Sequence, residues 1–169
     1  QPVRGPSVCA CHLNGGGLAS AFESCAMKRH HWALLFLFLL SPSFAVQALE
    51  VVDDRGFRTT LAHAPQRIVS LLPSLTETIC ELGYCQRLVG VDRYSNFPAR
   101  LQNLPQLGGG LDPNIEAIVA LKPDVVVMAA SSRASERLRA LGLNVVALEP
   151  KTHADVQRVL RKIGYLLEA

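Results

Sequence analysis

The chain has 169 residues, 49% of them hydrophobic, with 17 Lys and Arg against 14 Asp and Glu for a formal net charge of +3. Residues 49–169 hold 14 basic and 13 acidic side chains, net +1, so nothing in the charge balance points to a nucleic-acid partner. That stretch suffices for one domain.

In chain order, the first 26 residues carry Gly15-Gly16-Gly17 and scattered polar side chains, and they precede a segment that reads as an export signal beginning in mid-chain. They are therefore expected to be upstream sequence translated in error; the alternative is a genuine, disordered leader. Over residues 27–48, Lys28, Arg29, His30 and His31 form a basic start, an unbroken apolar run from Trp32 to Leu40 follows, Ser41-Pro42 ends it, and Val46-Gln47-Ala48 offers small residues for cleavage. The run falls far short of the roughly 20 residues that span a bilayer, so a cleaved signal peptide is expected and the mature chain begins near Leu49. No lipobox cysteine follows the run, so lipid anchoring is not expected.

Residues 49–61 read as a small edge hairpin with Asp54-Arg55-Gly56 as its turn. Residues 67–72 are a nearly continuous apolar strand closed by Pro73. Ser74 and Glu77 have the spacing of a capping box, which predicts a helix over 75–82 with Gly83 as its stop, and 88–91 make the next strand. Strand, helix, strand implies a right-handed crossover and a parallel sheet. Asp112 is placed to cap a further helix with Pro113 at its first position; Ile115, Ile118 and Val119 form its apolar face, and Glu116 lies off that face. A buried strand over 125–128, a helix over 134–141, a strand over 144–148 and a helix over 154–168 complete the pattern, the last helix burying Val156, Val159, Leu160, Ile163 and Leu167. The fold class is α/β, a Rossmann-like doubly wound lobe with a parallel sheet, preceded by a signal-peptide helix. Ala169 falls inside a helix with no stop signal, so the lobe reads as cut short.

Cys9, Cys11 and Cys25 precede the expected cleavage site and Cys80 and Cys85 follow it. A regular helix holds positions five apart too far for a bridge, but Gly83 can turn the chain back, so the pair is either a disulfide or two unlinked thiols. A metal site is not expected. No nucleophile elbow, phosphate loop or zinc helix occurs, and His63 and His153 stand alone, so no catalytic residue is assigned and an enzyme is not expected. Gly108-Gly109-Gly110 is not a dinucleotide fingerprint; it reads as a flexible turn or as a close approach of backbone to ligand. What specificity there is lies in loops at the strand ends: Pro73-Ser74, residues 93–98, residues 108–111 and residues 129–133. A mixed polar and aromatic rim of this kind suits a bulky flat ligand, with Tyr94 as the aromatic candidate and Phe97 read as core.

Three stretches carry a resemblance. Residues 65–77 (PQRIVSLLPSLTE), 88–98 (LVGVDRYSNFP) and 111–124 (LDPNIEAIVALKPD) resemble, in order and spacing, the N-terminal lobe of the periplasmic substrate-binding proteins of ABC importers for cobalamin, ferric siderophores and haem. The resemblance covers residues 50–169 and implies one of two Rossmann-like lobes that a long helix joins around the ligand. It is nearest to the cobalamin binders, whose counterpart of residues 94–98 puts a tyrosine in the cleft. Gly108-Gly109-Gly110 stands where they carry a cleft tryptophan, and Leu72-Pro73 stands where haem binders show a glycine pair.

The resemblance implies a periplasmic receptor that captures a corrinoid or other metal chelate, needs no cofactor and delivers its solute to the transmembrane permease of an ABC importer. Ferric-siderophore or haem binding by the same fold, or a truncated remnant that binds nothing, are the alternatives. Pro73, Ser74, Tyr94, Gly109 and Arg133 would line the cleft. Glu116 would dock on permease arginines; the plain alternative is a carboxylate favoured by a helix N-terminus.

Overall fold

The computed structural model describes residues 48–168; the expected leader over residues 1–26 and all but the last residue of the expected signal peptide over residues 27–48 lie outside them. Strands β1 (Leu49–Val52) and β2 (Arg58–Leu61) pair antiparallel, with Leu49 opposite Leu61 and Val52 opposite Arg58. Alternation turns Leu49, Val51, Thr59 and Leu61 inward and leaves the residues between them in solvent. Asp53 builds the turn: its Oδ1 accepts the amides of Arg55 and Phe57 at 2.9 Å each, and Gly56 supplies a φ of 82°. The ribbon is a sheet of its own.

Four parallel strands, β3 (Ile68–Ser70), β4 (Leu88–Val91), β5 (Val125–Met128) and β6 (Val145–Ala147), form the main sheet in the order β4-β3-β5-β6. Helices α1 (Pro73–Glu81), α2 (Ile115–Ala120), α3 (Ala134–Ala140) and α4 (His153–Leu167) cover it. Successive strand residues point to opposite faces, so the apolar runs feed two cores. Ile68, Val125, Val127 and Val146 pack with Leu75 and Ile79 of α1, Val159 and Ile163 of α4, and the inner side of the ribbon. Val69, Val126 and Met128 pack on the other face with Ile115 and Ile118 of α2 and Leu138 of α3. Each fully buried aliphatic side chain contributes about 1.5–3 kcal/mol, and the expected doubly wound α/β lobe is the arrangement that buries both faces.

Several local expectations are corrected. The capping box at Ser74 and Glu77 does not form: α1 begins at Pro73 with Leu72 as N-cap and no side-chain cap. Proline's fixed φ and missing amide suit the first helical position, which moves Ser74 inside the first turn. The cap of α2 is Asn114, whose Oδ1 accepts the Ala117 amide at 2.9 Å, and not Asp112, which is held by Arg93. Val119 is exposed, because a helix of six residues turns only Ile115 and Ile118 fully inward. On α4, Val156 and Leu160 flank the buried stripe and stay exposed, while Leu166 takes the inward place. Its start carries a capping box between Thr152 and Asp155 that the sequence reading passed over.

Helix α1 stops at Glu81, Gly83 reverses the chain at φ 90°, and Cys80 and Cys85 come to a Cα–Cα distance of 4.1 Å, joined by a disulfide. At the far edge the ribbon is fastened to β6 and to both helical layers. Thr59 Oγ1 donates to Val145 O at 3.0 Å, and the Asp54 amide donates to Ala147 O at 2.9 Å. Buried Asp53 receives Arg139 of α3 at 2.5 Å and the Ala147 amide at 3.2 Å. Asp54 receives Arg158 and Lys162 of α4 and the Glu149 amide. Burial pushes the Asp54 carboxyl up, but the hydrogen bonds from Arg158, the Glu149 amide and Lys162 together hold it below its ordinary value.

Candidate functional site

The chain leaves β3 toward α1 on one face of the sheet and leaves β5 toward α3 on the other. Adjacent parallel strands whose connections diverge open a crevice beyond their carboxyl ends, where α/β sheets hold ligands. The loops that the sequence singled out meet there. The Asp92 amide donates to Ser70 O at 3.0 Å, and the Arg93 amide donates to Gly108 O at 2.8 Å. Ser132 Oγ donates to Gly110 O at 2.6 Å, and the Ser131 amide donates to Glu149 Oε2 at 2.9 Å. Loops from four strand ends and the glycine segment thus form one continuous rim.

On that rim, Pro73 is half-buried at the first position of α1 and Ser74 beside it is exposed. Tyr94 is 65% exposed, so its ring is open to contact from outside the lobe. Arg133 is exposed at the start of α3. Gly109 is buried: a Cβ there would lie 2.6 Å from Asp112 Oδ1, beneath the Arg93 side chain. The glycine segment is packed rather than loose, since a Cβ on Gly110 would stand 3.0 Å from Leu71 O and Gly108 has φ 88°. Its close approach is to the protein itself, to backbone at Gly108 and Gly110 and to the Asp112 carboxylate at Gly109. Glu116 is exposed in the first turn of α2, which starts where the rim loop ends. It stands on α2, whereas the other candidates stand on the rim loops and at the starts of α1 and α3.

Phe97, expected in the core, is 60% exposed, and Leu111, which the sequence reading did not single out, is 83% exposed. With Tyr94 they make the rim apolar at three places. The Arg93–Asp112 ion pair, 3.2 Å across, bridges the loop after β4 and the glycine loop above Gly109. Neither residue carries a sequence signal for this, because a charge in a loop is ordinarily solvated. The rim therefore offers apolar surface, two arginines and two carboxylates, Asp112 and Glu149. Among the described residues no cluster of His, Cys, Asp and Glu could hold a metal ion. A recess of about 210 Å³ lined by Thr60, Leu61, Ala62, His63, Asp124 and Asn144 lies at the opposite edge, by the amino ends of β5 and β6. It is below the roughly 300–1,000 Å³ typical of organic-ligand sites.

Residues 68–169 match the family described as periplasmic binding protein. Similar proteins include an uncharacterised ABC transporter substrate-binding lipoprotein of Bacillus subtilis, 31% identical over 120 residues, covering 67% of this chain and 38% of that one. The vitamin B12-binding protein of Pectobacterium carotovorum is 33% identical over 109 residues, covering 62% of this chain and 40% of its own. Among solved structures, a periplasmic haem-binding protein from Pseudomonas aeruginosa superposes with a TM-score of 0.57 at 32% identity, over 62% of this chain and 39% of that one. The periplasmic vitamin B12-binding protein of Vibrio cholerae superposes with a TM-score of 0.57 at 28% identity, over 61% and 42%. The chain thus spans about two fifths of the length of these relatives.

Proposed function

We propose that this chain, which belongs to the periplasmic binding protein family, supplies one wall of a receptor that captures a corrinoid or related metal chelate. The receptor delivers it to the inner-membrane permease of an ABC importer. The observation that carries the reading is the rim: loops that converge at the switch point of a parallel sheet and present Tyr94, Phe97 and Leu111 to solvent. Exposed aromatic and aliphatic side chains lose water most favourably under a broad, flat solute, and a half-enclosed solute needs a second wall to gain the rest. Pro73, Ser74, Tyr94 and Arg133 would touch the solute, with Gly109 holding the loop close beneath it. The proteins the chain resembles are binding and substrate-binding proteins, which supports binding and transfer, in the periplasm, as the function proposed.

Glu116 is the proposed permease contact. It is exposed, first-turn and off the buried face of α2, where a carboxylate can meet a cation without disturbing the crevice. Haem or a ferric siderophore is the second reading, favoured by Arg93 and Arg133, whose guanidinium groups suit acidic substituents on a chelate.

The test is calorimetry on the full-length gene product with cyanocobalamin, haem and a ferric hydroxamate. One of the three binds tightly, Tyr94→Ala weakens it, and Glu116→Arg leaves affinity intact while cutting uptake into cells. Binding of none of the three refutes the receptor reading, and loss of solute affinity in Glu116→Arg refutes the docking role.

A further inference from the structure

The loop that carries Tyr94 is held from beneath by side chains that take no part in the hydrophobic layers. Ser70 ends β3, Thr76 stands in α1, and Asp92 and Ser95 belong to the loop after β4; all four are buried. Thr76 Oγ1 lies 2.8 Å from Ser70 Oγ and 3.0 Å from Ser95 Oγ, and Ser95 Oγ donates to Asp92 Oδ1. Asp92 Oδ2 accepts the Tyr94 amide at 3.2 Å. A hydroxyl has one proton and a carboxylate has none. With Ser95 donating to Asp92 and Ser70 to Thr76, the single Thr76 proton is shared between Ser95 Oγ and Leu72 O, 3.2 Å away, so the line runs toward the carboxylate with one branch back into the first turn of α1.

Such a line is stiff. Each buried polar group is costly to unpair, and paired groups in a low-dielectric interior strengthen one another. The Tyr94 ring is exposed, with only the Arg93 guanidinium over it at 5.9 Å, and its amide rests on Asp92 at 3.2 Å, so the buried support of this residue comes through Asp92. We propose that Thr76 acts through Ser95 and Asp92 to set the position of Tyr94, which makes it a positioning residue for the solute. The inference rests on the reading that Tyr94 contacts the solute. It links Thr76 in α1 to the rim loop through Ser95, 19 positions along the chain and next to Tyr94.

The experiment is a cycle in the full-length protein: Thr76→Val, Thr76→Ser and Tyr94→Ala alone, and Thr76→Val with Tyr94→Ala. The probe is whichever of cyanocobalamin, haem and a ferric hydroxamate the unsubstituted protein binds. Thr76→Val keeps shape and deletes the hydroxyl with its contacts to Ser70, Leu72 and Ser95, and it weakens binding about tenfold, the share carried by the Ser95 contact that supports the Tyr94 loop. Thr76→Ser restores binding. In the Tyr94→Ala background the valine adds nothing, because the residue it positions is gone. Equal losses in both backgrounds, or unchanged affinity in Thr76→Val, overturn the proposal. No binding by the unsubstituted protein overturns the receptor reading as well, which separates the two failures. A solute-free measurement guards against misfolding: in Ser95→Ala, amide exchange at Tyr94 and Asn96 quickens while β3 and β5 stay protected, and unchanged exchange at Tyr94 overturns the inference.

Discussion

Replacing Asp53 by alanine removes four partners at once from the place where the ribbon meets the main lobe. Two of them, the amides of Arg55 and Phe57, belong to exposed residues and can turn to water. The other two cannot. The Ala147 amide lies in buried β6, and Arg139 is mostly buried, with Nη1 already lacking a hydrogen-bond partner and the guanidinium 4.1 Å from the Phe57 ring. Breaking a buried pair from one side leaves an uncompensated charge and costs about 3–5 kcal/mol. Arg139 keeps Val145 O at 3.2 Å and the Phe57 face, which places the expected loss near the lower end, about 3 kcal/mol. A lobe of this size is stable by roughly 6–18 kcal/mol, so the loss is a large share of the whole. Urea unfolding followed by circular dichroism reads it as a midpoint lower by about 1–2 M with an unchanged slope. Asp53→Asn distinguishes the causes. It keeps an oxygen for the turn amides but puts an NH2 group where two donors converge, so it loses nearly as much as alanine. Wild-type stability in Asp53→Asn refutes the reasoning, because the turn would then account for the effect and the Arg139 contact for none of it.

Acid unfolding gives a second check. Hydrogen bonds from Arg158 and then Thr152 hold the Asp155 carboxyl down to about 2, and Asp54 is also held below its ordinary value. A depressed folded-state value means that the stabilisation is present above the unfolded value, near 4, and is lost as pH falls through the folded one. Melting temperature therefore declines from about pH 4 toward pH 2, and Asp155→Asn flattens that decline; an unchanged profile refutes the assignment. For the disulfide, Cys80→Ala with Cys85→Ala opens a short loop whose closure is worth about 2 kcal/mol in the chain-entropy account. A melting temperature within a degree of the oxidised wild type would refute that figure.

Much of the molecule is legible from local sequence, and the reasons differ by element. The runs at 68–71 and 125–128 are apolar on consecutive positions, which is the mark of strands covered on both sides, and both are buried throughout. Gly83 announces the end of α1 because its φ of 90° is one that other residues resist. The caps are less legible. Ser74 and Asp112 each have the right chemistry, but Pro73 and Asn114 have the better geometry, and Asp112 is drawn away by Arg93, 19 positions distant. Phe97, Val156 and Leu160 have the composition of core residues, and their exposure follows from which way their segments face.

The sequence by itself determined the order of strands and helices, the class of the lobe and the loops that carry the candidate site, because each depends on periodicity and turn chemistry within a few residues. Only the tertiary structure decided that Thr76 stands under the Tyr94 loop, that Asp53 and Asp54 tie the ribbon to opposite helical layers, and that Arg93 and Asp112 close over Gly109. Those pairings join side chains from 19 to more than 80 positions apart. Which hydroxyl or charge finds which partner is set by how the layers stack, and the local sequence carries no record of it.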